Sequence, residues 1–145
     1  MPQDYIKITI PALPPGANRT YHKGIALTKE ARRWDARAAL IVGATAAEVD
    51  FEPDLKANYI ILIRWWGGKH DADAHLKFVQ DCVTRKLGFD DRQISACVIE
   101  RRPPGWGDTP EGVEIHLFRA IERDWIAALL DELGGQNESP LGLGK

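Results

Sequence analysis

The chain has 145 residues, of which 44% are hydrophobic, enough to bury the core of one compact domain. Its 19 basic and 21 acidic residues give a formal net charge of -2, which excludes a strongly basic protein that coats nucleic acid non-specifically. The uncharged stretches at positions 8–18 and 38–47 both fall short of the ~20 apolar residues that a membrane span needs. The N-terminal residues lack the pattern of a secretory signal, so we expect a cytoplasmic protein with no membrane partner.

The first third of the chain predicts a strand, a loop and a helix. Apolar and polar residues alternate over residues 4–12, as in a strand with one buried face. The next stretch, residues 13–26, combines proline, glycine and polar residues with no period, which is typical of a functional loop. Thr28 is a residue type that caps helices, and the alanine-rich sequence after it predicts a helix to about Glu48 whose arginines face solvent.

The middle of the chain predicts a buried strand followed by a second helix. Residues 56–66 form a nearly continuous apolar run of β-branched and aromatic residues, which predicts a central strand covered on both faces. From Asp73 to Leu87, apolar residues recur at steps of three and four. This spacing predicts an amphipathic helix that ends at Gly88.

The last third predicts two strands and a helix. Residues 93–102 and 112–120 have strand patterns, and we expect them to form an antiparallel hairpin with a long loop. Residues 122–133 carry an apolar stripe at helical spacing. The order of these elements predicts an α+β fold, a single domain in which helices pack against a mixed β-sheet.

The densest chemical feature is a group of carboxylates around the second predicted helix. Asp71 and Asp73 are separated by one residue, so an extended segment would point both the same way at the N-terminus of this helix. Lys77 lies one turn after Asp73 on the same helix face, with Asp81 one turn further on. A loop that places Asp91 opposite them would complete an acidic pocket with one lysine beside it.

Crowded carboxylates raise one another's pKa, and a bound divalent cation commonly relieves this repulsion. Oxygen ligands favour Mg²⁺, with Mn²⁺ as a substitute, and such an ion polarises a phosphate and lowers the pKa of a bound water. An alternative stays open in which the aspartates are helix caps and turn residues. In that case Asp81 pairs with Lys77 or Arg85, and Asp90 and Asp91 form a turn.

Histidine and tryptophan residues near the carboxylates allow further interpretations. His70 and His75 flank the aspartates, so a zinc site is an alternative, although a spacing of five residues fits one helix face poorly. Trp65 and Trp66 end the predicted central strand. They are either core residues or a platform for exposed bases.

Two groups of motifs resemble the RusA-type Holliday junction resolvase family. DADAHLK followed by QD, and then GFDDRQI, are similar to the family's DxDNxxK, D and DDxQ pattern. PPGANRTY, at residues 14–21, is similar to the family's PPSxNRxY entry after a first strand, and LTKEAR occupies the place of the family's helix start. The match spans about residues 4–120. The resemblance implies a RusA-like nuclease domain over residues 1–120, with residues 121–145 as a C-terminal helix and flexible tail.

The resemblance implies a Mg²⁺-dependent homodimeric endonuclease that binds four-way junction DNA and nicks two strands symmetrically, in DNA recombination and repair. The metal-binding and catalytic positions it implies are Asp71, Asp73 and Asp91, with Lys77 as a catalytic lysine. We also expect contacts with DNA from Asn18, Arg19, Tyr21, Lys23 and Lys69.

Three departures from the family pattern keep other functions open. Ala74 stands where the family has asparagine, and the basic run before the first aspartate is reduced to Arg64 and Lys69, with His70 as a third group that can carry charge. Residues 121–145 carry an excess of acidic side chains, which suits phosphate contact poorly. The alternatives are a junction-binding protein that has lost catalysis and a metal-dependent phosphoesterase that acts on small substrates.

Overall fold

A computed structural model describes residues 4–16, 21–22, 26–68, 73–120 and 130–134, with the backbone alone at 21, 22, 26, 73–76 and 91. The strands are β1 (Tyr5–Ile10), β2 (Tyr21–His22), β3 (Ala26–Leu27), β4 (Tyr59–Trp66), β5 (Ile94–Arg101) and β6 (Gly112–Arg119). The helices are α1 (Lys29–Glu48) and α2 (Asp73–Leu87), and a 3₁₀ turn spans Asp91–Gln93. Among the described residues, no helix is both long enough and apolar enough to cross a membrane.

The four long strands form one mixed sheet in the order β1-β6-β4-β5. β6 is antiparallel to both of its neighbours, whereas β5 is parallel to β4. The predicted hairpin of β5 and β6 is wrong, because β4 lies between them. The physical reason is that α2 returns the chain to the start of β4, so β5 can pair parallel to β4 and β6 pairs with the other side of that strand.

The core lies between one face of this sheet and the two helices. All eight residues of β4 are buried, which confirms the predicted central strand covered on both faces. In β1 the buried and less buried residues alternate as predicted. From α1 the core receives residues three or four positions apart, namely Ala31, Trp34, Ala38 and Val42. The mixed sheet with packed helices confirms the predicted α+β fold class.

Local signals set the helix boundaries. The side chain of Thr28 accepts a hydrogen bond from the backbone nitrogen of Ala31, and α1 runs from Lys29 to Glu48, as predicted. α2 ends before Gly88, whose φ of +85° is the left-handed conformation expected of a glycine that terminates a helix. The arginines of α1 face solvent, as predicted.

Three other predicted features have mixed outcomes. The loop predicted over residues 13–26 contains the short antiparallel pair β2 and β3. Trp65 and Trp66 are 1% and 2% exposed, so they are core residues and the stacking interpretation is wrong. The part of the last predicted helix that the structure describes, residues 130–133, is helical, and the helix continues to residue 134. The rest of that helix lies outside the described residues.

Candidate functional site

The two segments that carry the motifs leave the sheet at the same end. Val113 of β6 pairs with Ile10 of β1 and with Trp65 of β4, so the C-terminal ends of β1 and β4 lie one strand apart. Residues 11–16, which contain the beginning of the PPGANRTY motif, follow β1, and residues 67–68, which lead towards the aspartates, follow β4.

Contacts hold these two segments together. The backbone nitrogen of Leu13 donates a hydrogen bond to Oε2 of Glu111 at 2.8 Å, in the loop before β6. Cδ1 of Leu13 lies 2.7 Å from the position that a Cβ on Gly68 would take, and Gly68 has a φ of +69°. This left-handed backbone conformation favours glycine, which also leaves room for the Leu13 side chain. Gly68, the second residue after β4, therefore packs against the N-terminal motif segment.

The structure describes only some of the predicted site residues. Six residues that the sequence analysis names lie outside the described residues, namely Asn18, Arg19, Lys23, Lys69, His70 and Asp71. Asp73 is the first residue of α2, and Tyr21 belongs to β2.

Lys77 and Asp81 form an ion pair on the exposed surface of α2. Nζ of Lys77 lies 3.1 Å from Oδ1 of Asp81, and the Lys77 side chain is 73% exposed. This is the pairing that the structural alternative predicts for Asp81. The Asp81 side chain is 32% exposed, and a pair one helical turn apart contributes about 0.3–0.5 kcal/mol to stability.

Asp90 has a structural role in the turn between α2 and β5. Its carboxylate accepts hydrogen bonds from the backbone and the guanidinium of Arg92, and the guanidinium bond in particular lowers the pKa of Asp90. The side chain of Gln93 donates to the carbonyl oxygens of Asp54 and Ala57, at 3.0 and 2.9 Å. These bonds fix the turn, and with it Asp91, beside the beginning of β4.

The described backbone does not bring Asp73 and Asp91 together within one chain. Asp73 begins α2, and Asp91 follows the opposite end of that helix. The 15 residues of α2 rise about 21 Å at about 1.5 Å per residue. Carboxylate oxygens bind a divalent cation at about 2.0–2.6 Å, far less than this separation. The pocket that we expected Asp91 to complete within one chain is therefore not formed.

A second polar region lies on the face of the sheet opposite α1 and α2, which we call the second face. Arg64 of β4 is fully buried there, and its Nε lies 2.8 Å from Oε1 of Glu100. Its Nη1 lies 3.5 Å from Oε1 of Glu114 and 3.4 Å from Oε1 of Glu132. Arg64 is therefore unavailable to DNA, which corrects its interpretation as part of a reduced basic run.

His116 links Glu114 to Tyr5 on the second face. Its Nε2 lies 2.6 Å from Oε1 of Glu114, and its Nδ1 lies 2.6 Å from the hydroxyl of Tyr5. Burial raises the pKa of Glu114, but the hydrogen bond with His116 and the charges of His116, Lys7 and Arg64 bring it below its ordinary value. Burial and the charges of nearby carboxylates raise the pKa of Tyr5 to about 12, so its hydroxyl keeps its proton.

Glu114, His116 and Glu132 offer ligand atoms within 4.8 Å of one another, a spacing that could hold a metal ion. Arg64 occupies the same space, however, at 3.4–3.5 Å from both carboxylates. A metal ion would face this guanidinium at short range in a medium of low dielectric constant. We therefore interpret the group as a buried ion-pair network. It attaches residues 130–134 to the sheet, also through a 2.9 Å bond from Arg64 to the carbonyl of Glu132.

Sequence reasoning missed this network, although two signals point to it. Arg64 is the one charged residue in the buried strand β4, and a buried charge requires partners. In β6, Glu114 and His116 alternate with apolar residues that face the core. The network is enclosed. The candidate functional site is the end of the sheet where β1 and β4 stop, because both motif segments leave the sheet there. A scan against models of known protein families finds no match, and a search of curated proteins finds none either.

Proposed function

We propose that this protein is a Mg²⁺-dependent endonuclease that resolves four-way DNA junctions by symmetric paired nicks, in DNA recombination and repair. The observation that supports the proposal best is that residues 11–16 and residues 67–68 meet at the end of the sheet beside α2. These segments are far apart in the chain. Motifs that form one active site lie close together in space, whereas chance similarities can lie anywhere in the structure.

The proposed roles follow from the chemistry of the side chains. Asp71, Asp73 and Asp91 hold the ion, because carboxylate oxygens are the ligands that Mg²⁺ and Mn²⁺ prefer. When bound, the ion polarises the scissile phosphate and neutralises the charge that develops on it. Lys77 adds a positive charge one turn after Asp73. Phosphates of the junction contact residues on the motif segments, namely Asn18, Arg19, Tyr21, Lys23 and Lys69.

A homodimer resolves the separation of Asp73 and Asp91. Two nicks placed symmetrically require two active sites related by a two-fold axis. Because α2 puts Asp73 and Asp91 at opposite ends of one subunit, a two-fold axis can bring Asp91 of the partner subunit to the end that carries Asp73. Each site would then take Asp71 and Asp73 from one chain and Asp91 from the other. In this arrangement a monomer has no complete site.

We propose that β5 is the edge at which the two subunits pair. Among the described strands, β5 pairs only with β4, and its outer edge has no described partner. None of its eight residues is fully buried, and Ile94, Val98 and Ile99 are only partly covered. Antiparallel pairing of β5 with its copy places the start of one β5 beside the end of the other. Asp91 of the partner subunit then reaches the end where β4 stops, about two strand spacings of ~4.8 Å away.

A cross-linking experiment tests this edge through Cys97, which lies in the middle of β5. If the two copies of β5 pair, a short bismaleimide should join the two Cys97 side chains and convert most of the protein into a covalent dimer. Burial raises the pKa of Cys97 to about 11, so the reaction should accelerate as the pH rises towards that value. Denaturing electrophoresis measures the product.

The Cys97→Ser variant is the matched control, because it keeps Cys82, which is 2% exposed. This variant should give no covalent dimer. Wild-type protein that dimerises in light scattering, and in which each Cys97 reacts singly without joining its copy, would place the interface elsewhere.

One assay tests the proposed function against its alternatives. A synthetic four-way junction is incubated with the protein and Mg²⁺, beside a linear duplex of the same sequence and a sample with EDTA. Paired nicks in the junction alone, abolished by EDTA, are the expected result. Tight binding of the junction without nicks would indicate a binding protein that has lost catalysis. Hydrolysis of a small phosphodiester with an intact junction would indicate a phosphoesterase.

Lys77→Ala should slow single-turnover cleavage by roughly 100-fold, the cost of removing one group that stabilises charge in a transition state. The apparent affinity for Mg²⁺ should hold, because Lys77 is not a metal ligand in the proposal. Lys77→Arg should restore little activity, since a planar guanidinium does not reproduce a compact ammonium. Asp81→Asn removes one ion-pair partner of Lys77 and should leave the rate nearly unchanged. An unaltered rate for Lys77→Ala would assign this lysine to the helix surface alone.

A further inference from the structure

A cavity of about 530 Å³ opens on the second face of the sheet. It lies between β1 and the loop that joins β5 to β6, and its lining includes Lys7, Thr9, Trp66, Trp106, Asp108 and Glu114. Because Trp66 is the last residue of β4, the cavity is at the same end of the sheet as the candidate functional site. The volume is in the range of sites that hold small organic groups.

The cavity has a fixed aromatic wall. Nε1 of Trp66 donates a hydrogen bond to the carbonyl of Thr109 at 2.9 Å. A Cβ on Gly107 or Gly112 would lie 2.3 or 2.4 Å from the ring of Trp66, so the loop lies directly on that ring. Trp106, half-buried in this loop, has the guanidinium carbon of Arg102 at 4.1 Å from its ring centroid. These contacts set the wall in place before any ligand arrives.

The opposite side of the cavity presents hydrogen-bonding groups. Nζ of Lys7 lies 3.8 Å from Oε2 of Glu114, with side chains that are 45% and 9% exposed. Thr9 adds a hydroxyl beside them. A donor, an acceptor and a hydroxyl thus line the cavity together with aromatic rings, and a planar heterocycle that carries donors and acceptors on its edge fits this combination.

We propose that this cavity holds one unstacked nucleobase of the DNA next to the cleaved phosphate, with Trp106 against its face and Lys7 and Glu114 at its edge. The inference rests on the proposed function, and it adds the place at which the protein recognises a base of the junction. The cavity suits a base better than a phosphate, because Glu114 and Asp108 would repel a phosphate within it. The cavity opens at the end of the sheet where β1 and β4 stop, which is the end that the proposed function assigns to the cleaved phosphate.

The experiment compares four-way junctions that carry either a normal base or an abasic site at each position beside the cleaved bond. For the wild-type protein, the abasic site at one position should lower the junction affinity and the cleavage rate roughly tenfold, the lower part of the range for loss of one base stacked on an aromatic residue. Trp106→Ala and Lys7→Met should bring this base-to-abasic ratio close to one. Lys56→Met removes an equal charge at the other end of the sheet, so its ratio should match the wild type.

Lys7 is partly exposed on an edge strand, so Lys7→Met keeps the test valid even if Trp106→Ala disturbs the loop. A wild-type ratio near one at every position overturns the inference, and so does a ratio that Trp106→Ala and Lys7→Met both leave unchanged. The proposed function stands in both cases, since junctions are still cut. A wild-type protein that neither binds nor cuts a junction overturns the proposed function and this inference together.

Discussion

Mixing Asp73→Asn and Asp91→Asn subunits in one dimer should restore junction cleavage that neither variant has alone. Each homodimeric variant lacks one metal ligand in both sites. Its cleavage rate should fall by at least roughly 100-fold, the loss that can follow the mutation of a residue that only contacts a metal ligand. In the mixed dimer, one site receives both substitutions and the other receives none. The restored activity should therefore nick only one strand of the junction.

This expectation comes directly from the fold. α2 separates Asp73 from Asp91 by its whole length, so a site that contains both has to draw on two subunits. Neither substitution should weaken junction binding, because a carboxylate without its cation repels the phosphate. Co-expression with two different affinity tags, followed by purification through both, isolates the mixed dimer for the assay.

A matched pair of variants provides the control. A mixed dimer of Asp71→Asn and Asp73→Asn subunits should stay inactive. Each proposed site takes both residues from the same subunit, so each site of this dimer lacks one of the two carboxylates. If the Asp73→Asn and Asp91→Asn mixture is equally inactive, the two-subunit site is wrong. Near wild-type nicking by the homodimeric variants would instead overturn the assignment of these aspartates to the metal.

Replacing Arg64 by methionine should lower the free energy of unfolding by roughly 3–5 kcal/mol, the usual cost of removing one partner from a buried ion pair. Arg64 is fully buried among Glu100, Glu114 and Glu132, and methionine retains much of its apolar stem. The cost therefore arises from carboxylates left without their counter-charge. Urea unfolding measures the change, provided that the slope of the transition is conserved.

Two further variants separate charge from packing in this network. Adding Glu114→Gln and Glu132→Gln to Arg64→Met should recover part of the lost stability, since two of the three carboxylates are then neutral and Glu100 keeps its ion pair with Arg102. Arg33→Met, at an exposed position of α1, should stay within about 0.5 kcal/mol of the wild type. If Arg64→Met is as mild as Arg33→Met, the buried network does not stabilise the fold.

Local patterns were enough to predict the main elements. The alternation of Ile6, Ile8 and Ile10 and the apolar run of β4 depend on which face of a strand is buried, and the side-chain period records this directly. Thr28 and Gly88 mark helix ends through bonds and backbone angles of a few neighbouring residues. Such features require no knowledge of distant partners.

The candidate site was predictable only in part. The order of the motifs led to Asp71, Asp73, Lys77 and Asp91, and the resemblance to RusA-type resolvases stays a prediction. Arg64 was misread because a positive charge in a sequence does not reveal whether solvent or carboxylates surround it. Its partners Glu114 and Glu132 come from β6 and from the C-terminal segment, far along the chain.

The sequence by itself determined the strands, the helices and the α+β class, since these follow from the periodicity and capping of neighbouring residues. Only the tertiary structure decided that β4 separates β5 from β6, and that α2 holds Asp73 and Asp91 apart. Strand partners and the distance between two loops depend on how whole elements pack against one another. No local pattern encodes that packing. Because the packing separates Asp73 from Asp91 within one chain, the proposed metal site takes its aspartates from two subunits.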